Sequence, residues 1–200
     1  MRGREAETLN LLRYFSAEEA FAGVLGSAFA TGPDLPPFLQ AQLLFPYTGG
    51  MTFVQELRRR AGGRWTLVDL ADRTRPPDST EQVLHPDKYL RVEEPLPVAL
   101  NVHPGPGWRR AAAGVWGEWA TGELVGSQAA AGWGGDRYEL WERGGQRRLV
   151  MRWRWDTRRD AREFARAARE RLRATEVTAS GDTVTLVWAP SGALAARAAG

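Results

Sequence analysis

The sequence predicts an α+β fold: a helical N-terminal half, then a small antiparallel sheet of two hairpins with a helix packed across it. Three observations carry that prediction. Up to about residue 94 the apolar residues recur at helical spacing, as Leu9, Leu12 and Phe15 do and again Phe53, Val54, Leu57 and Ala61. After Gly135 the period drops to two. Between the two hairpins lies one stretch with a single apolar face, Ala161, Phe164, Ala165, Ala168 and Leu172.

Taken in order, residues 4–30 read as one long helix or two, closed by the stop Thr31-Gly32-Pro33-Asp34. Pro36-Pro37 opens a helix that is expected to run to Pro46, with Tyr47-Thr48-Gly49-Gly50 as a turn. The stripe from Phe53 to Ala61 forms the next helix, ended by Gly62-Gly63, and Trp65–Asp72 a further short one. Arg58, Arg59 and Arg60 fall on a helix end, where cations are favoured by the dipole. Ser79 starts a capping box with Gln82, and Pro86 forces His85 out of helical geometry, so that helix has two turns at most. Residues 90–110 carry Pro95, Pro97, Pro104 and Pro106 and read as irregular, short strand content over Val98–Val102 being the alternative. Gly114–Gly126 is expected to be a helix bearing Trp116, Trp119 and Leu124, and Ala129–Gly135 a turn of small residues. Leu149, Met151, Trp153 and Trp155 then alternate with Val150, Arg152 and Arg154 beyond the Gly144-Gly145 turn. Thr157 and Asp160 cap the packing helix, a second hairpin turns at Gly181-Asp182, and the tail from Ser191 is an Ala-rich helix or a frayed end. The organisation expected is 1–94 helical, 95–113 a proline-rich connection and 114–200 α+β, or one continuous domain.

Composition excludes several chemistries. The 200 residues are 43% hydrophobic with nine Trp, enough for one sizeable core or two small ones. Net charge is +3, from 27 basic and 24 acidic residues, so the pI near 9.8 follows from arginine's high pKa and not from a basic excess. Lys88 is the only lysine, a bias that fits codon composition better than a phosphate-binding surface, and no nucleic-acid partner is expected. With no cysteine there are no disulfides, thiol nucleophiles or Cys-ligated zinc. No apolar run reaches the roughly 20 residues of a membrane span. Ala20–Ala30 ends in an Ala-x-Ala pattern suited to signal cleavage, but Glu18 and Glu19 stand where positive charge belongs. The chain is expected to be cytoplasmic if its start is genuine, exported if a signal lies upstream of Met1.

No Gly-x-Ser-x-Gly elbow and no phosphate-loop pattern occurs. Glu81 and His85 stand at i and i+4, the spacing at which two side chains share a helix face and a metal bridges them. The other histidine, His103, is the remaining candidate ligand. On spacing alone the pair reads first as surface neighbours. Arg147, Arg148, Arg152 and Arg154 beside Trp153 and Trp155 suggest a nucleic-acid platform, but alternation sends the Trp side to the core and the Arg side to solvent. The Gly-rich turn with Trp133, Asp136 and Arg137 is the candidate cleft, for a peptide or protein partner.

Four stretches together resemble a family of bacterial and archaeal metallopeptidase-like proteins, similar to gluzincins and many of them exported. They are Leu44-Phe45-Pro46-Tyr47 with Gly50 and Phe53-Val54; Pro76-Pro77 with Ser79 to Pro86 and Lys88-Tyr89; Ala129 to Tyr138; and Trp155-Asp156 with Asp160-Ala161 and Glu163-Phe164. The resemblance covers most of residues 40–165 and implies a zinc site: two ligands and the catalytic Glu from a His-Glu-x-x-His helix, and a third ligand from a downstream Glu. This sequence contains no His-Glu-x-x-His, and in Gly3-Arg4-Glu5-Ala6, the nearest match to the downstream pattern, Gly3 stands where the ligand Glu belongs. The chain therefore looks like the portion C-terminal to the catalytic helix, from a truncated or degenerate relative. No catalytic residue, metal ligand or cofactor carries over.

Overall fold

A computed structural model describes residues 35–190, so the expectations for residues 4–34 and for the tail from Ser191 lie outside the described residues. The fold is α+β, helical first and then a five-stranded antiparallel sheet with a helix on one face. The described residues form two compact units, one of residues 35–77 with Val83–Leu90, the other of Asp78–Gln82 with residues 91–190. Among the described residues no helix is long and apolar enough to cross a membrane.

The described part of the first unit begins with α1 (Pro37–Arg60), one helix where two and a turn are expected. Pro46 sits inside it, and the expected turn Tyr47–Gly50 is helical. Two features carry the helix through. The hydroxyls of Thr48 and Thr52 donate to the carbonyls of Leu44 and Thr48, and the Phe45 ring lies across Gly49 where any Cβ would overlap it. Gly49 thus serves as a notch for an aromatic ring, although glycine in a helix costs about 1 kcal/mol against alanine. Phe53 and Leu57 of α1 are buried with Ala71 of α2 (Thr66–Arg73) and Tyr89 of α4 (Pro86–Leu90). Tyr89 meets Phe53 edge-on at 5.1 Å, and its hydroxyl donates to the Arg75 carbonyl at 2.9 Å.

Between α2 and α4 lies α3 (Thr80–Leu84), started by the expected Ser79 cap, with the return bond of the capping box shifted one residue upstream. Ser79 Oγ accepts from Gln82 N–H at 3.2 Å, while Gln82 Oε1 reaches back to Asp78 N–H at 2.9 Å. His85 is non-helical, as Pro86 dictates, and its carbonyl accepts the first bond of α4 from Lys88 N–H.

In the second unit β1 (Arg109–Gly114), β2 (Trp133–Arg143), β3 (Gln146–Trp155), β4 (Glu176–Ser180) and β5 (Thr183–Trp188) assemble in the order β1-β2-β3-β5-β4, every pair antiparallel. β2 and β3 form the expected hairpin, with positive φ at both Gly144 and Gly145 as a type I′ turn requires. The expected helix over Gly114–Gly126 starts only at α5 (Gly117–Val125), because Arg109–Gly114 pairs with Tyr138–Glu142 as the edge strand β1. Strand pairing there overrides the helix preference of Ala111–Ala113. The expected turn Ala129–Gly135 is split: α6 (Ser127–Ala130) closes it at Gly132, and Trp133, Gly134 and Gly135 already belong to β2, with a bulge between Trp133 and Gly135.

One sheet face is the main core. Trp133, Met151, Trp153, Trp155, Val184 and Leu186 lie under Ala161, Phe164, Ala165 and Ala168 of α7 (Arg158–Arg171). Thr157 caps α7, its Oγ1 accepting from Asp160 N–H at 3.2 Å and donating to Asp160 Oδ2 at 2.7 Å. Thr157→Ala should lower unfolding stability by about 1 kcal/mol, and Thr157→Ser by much less, in urea titrations of both variants.

The opposite face corrects the expectation that the arginine side is solvent. Leu100 packs on Val150 and Val187, with Val102 beside it, so the proline-rich segment crosses this face as the irregular stretch expected, with no strand over Val98–Val102. Arg148 is fully buried, its guanidinium 4.7 Å from the centre of the Trp108 ring. Arg152 donates to Thr185 Oγ1 and to the Ala99 carbonyl, each at 3.0 Å. The proline-rich stretch is part of the second unit's packing.

Candidate functional site

Asp136 organises one end of the sheet. It lies on the core-side face of β2, paired with Trp153, and is 5% exposed. Its Oδ1 accepts from Gly117 N–H at 2.7 Å and from Trp133 Nε1 at 3.0 Å; its Oδ2 accepts from Trp116 N–H at 2.7 Å. The N–H of the N-cap residue Trp116 and that of Gly117, the first residue of α5, are thereby satisfied by a strand side chain at the positive end of the helix. Burial pushes the Asp136 carboxyl above the ordinary carboxylate range, against the pull of the three hydrogen bonds. Trp133 is fully buried.

Beside this anchor runs a groove of about 470 Å³, lined wholly by second-unit residues: Asp78, Ser79 and Thr80, the segment Pro95–Val98, Val115–Gly117, and Trp133, Gly135, Asp136 and Arg137 of β2. Pro95–Val98 forms one wall because Leu96 N–H donates to the Gly134 carbonyl at 2.7 Å, in the place that β1 leaves open along β2. The approach needs glycines. A Cβ on Gly134 would stand 2.7 Å from Leu96 Cδ1, and one on Gly135 would collide with the Leu96 carbonyl oxygen. Thr80 closes another wall, its Oγ1 accepting from Trp119 N–H at 3.2 Å. Trp116 is half-buried and meets Tyr138 edge-on at 6.3 Å, whereas Val115 is 61% exposed.

The candidate metal residues are placed differently. Glu81 is buried on α3, and among the described residues the His, Asp or Glu side chains close enough to share a cation are Glu81, Glu93 and Asp156, whose ligand atoms lie within 4.8 Å of one another. Neither His85 nor His103 belongs to that group; His85 links α3 to α4 and His103 is exposed in the proline-rich segment. Three carboxylates are hard oxygen donors, suited to Ca²⁺ or Mg²⁺ more than to zinc. Gln82 Nε2 donates to the Glu93 carbonyl at 2.8 Å, next to Val92, whose φ of +57° is a strained value for a β-branched residue.

Of the residues singled out in the sequence, Trp133, Asp136 and Arg137 come together at the groove. Trp116, which shapes it with Leu96, reads in the sequence only as a helix residue, Asp156 only as part of a family-like stretch, and Leu96 and Glu93 carry no site signal. Sequence spacing has no means of relating positions so far apart, and tertiary packing brings them together.

No curated protein and no solved structure matches the chain. Residues 108–199 match a family described as Domain of unknown function (DUF8575), so the likeness spans β1 to β5 and leaves the helical first unit and the proline-rich wall of the groove outside it.

Proposed function

We propose that the chain is a non-catalytic, metallopeptidase-like module, from a truncated or degenerate relative, that binds an extended peptide in the groove beside Trp133 and Asp136. The observation that supports this reading is the groove itself. It is concave, apolar along Pro95–Val98 and Val115, backed by a buried and fully hydrogen-bonded anchor, and its volume falls within the roughly 300–1,000 Å³ of ligand sites. In the family that the sequence resembles, the part following the metal helix builds the wall of the substrate cleft. That role needs shape and apolar surface, and no metal.

Two measurements test the reading. Elemental analysis of the purified chain should find no stoichiometric zinc, and the chain should cleave no peptide. Zinc at one equivalent, lost in Glu81→Ala or His85→Ala, defeats it. Selection from a random-peptide display library should yield binders whose amide and indole NMR shifts map to Val115, Trp116 and Gly135. Shifts confined to another face of the protein would remove the groove from the proposal.

A further inference from the structure

We infer that Arg137 makes this groove a receptor for the free C-terminal carboxylate of a peptide with apolar last residues, an inference that rests on the groove being the binding site. Among the described residues, the Arg137 guanidinium forms no hydrogen bond and no ion pair, although it is half-buried and lines the groove. Most arginines on the same sheet are hydrogen-bonded, and Arg148 is buried with its guanidinium stacked on Trp108. Arg110 is bound to Glu139, Arg147 to Glu142, Arg152 to Thr185 and Arg154 to Asp182. A half-buried guanidinium keeps five donors in a rigid fork, and a carboxylate satisfies that fork with two parallel bonds.

The surroundings choose among anions. Asp136 has its carboxylate occupied by three donors, and Asp78, the other acid on the lining, is exposed. One guanidinium balances one negative charge. A phosphate dianion would leave excess negative charge beside the buried Asp136, with no second cation among the lining residues. The apolar wall of Pro95, Leu96, Pro97 and Val98, with exposed Val115 opposite, then fits the side chains that precede the carboxylate. That wall is itself tied to β2 through Leu96, and a few extended residues are what a groove of about 470 Å³ accommodates.

The test uses the full chain and a synthetic pool of heptapeptides with three apolar C-terminal residues, labelled at the N-terminus and prepared both as free acids and as amides. Fluorescence anisotropy should give about 10- to 100-fold tighter binding of the acids, the range expected for charge-assisted hydrogen bonds. Arg137→Gln should abolish the preference while keeping the weak binding of the amides, with an unchanged circular-dichroism spectrum. Arg137→Lys should keep part of it, since an ammonium supplies the charge without the fork. Equal affinity of acids and amides, or a preference that survives Arg137→Gln, overturns the carboxylate assignment and leaves the groove. Binding of neither form overturns the groove and this inference with it.

Discussion

Asp136→Ala should lower unfolding stability by about 4 kcal/mol, because it strands three donors, each costing about 1–3 kcal/mol when buried without a partner. The Trp133 indole N–H loses its acceptor inside the core, and the N–H groups of Trp116 and Gly117 lose theirs at the start of α5. Asp136→Asn should cost less, about 2 kcal/mol, since one amide oxygen remains while the NH₂ group faces a donor. The pH dependence separates the natural chain from both variants. The folded carboxyl lies above its unfolded value of about 4, so the native state holds its proton longer. Its contribution to stability is then greatest below pH 4 and declines as pH rises through the folded value. In urea unfolding, the stability advantage of the natural chain over Asp136→Asn should therefore shrink from pH 3 to pH 8. An Asp136→Ala chain as stable as the natural one would remove Asp136 from its place as the anchor of the groove.

Phe164→Ala should cost as much for a different reason. Phe164 is fully buried, with its ring 4.8 Å from Trp153 and 4.6 Å from Trp155, and these three rings form the centre of the layer between α7 and the sheet. Truncation removes the apolar area and leaves a cavity walled by two indoles held in the β3 ladder, which have little freedom to close it. The expected loss is about 3–5 kcal/mol, against about 1–2 for Phe164→Leu, which refills most of the space. Both are read from the shift of the urea midpoint at unchanged m-value. The near-ultraviolet circular dichroism of the Trp pair should fall in Phe164→Ala before any loss of secondary structure. For a domain whose total stability is about 5–15 kcal/mol, either truncation leaves little margin.

The two variants also separate groove from core. Asp136→Ala disturbs the start of α5 and with it Val115 and Trp116 on the groove, so peptide binding should fall together with stability. Phe164 lies under the sheet and does not line the groove, so Phe164→Ala should lower stability and leave the binding constant of the folded fraction unchanged.

What the sequence determined by itself is the local structure whose cause is local. Thr157 with Asp160, Ser79 with Gln82, the Gly144-Gly145 turn and the break at His85 before Pro86 each follow from bonds or clashes within four residues, and each forms as read. The alternation along β3 likewise placed Trp153 and Trp155 in the core. Tertiary structure decided what depends on distant partners. The Ala-rich stretch before Gly114 became a strand because β2 offers it a ladder, and the glycines at 134 and 135 entered the sheet because Leu96 lies against them. Arg148 was buried because the proline-rich segment crosses its face and brings Trp108 over it. The groove itself follows from the same cause: its residues come from four stretches between Asp78 and Arg137, and only the packing of that segment along the edge of β2 brings them within reach of one ligand.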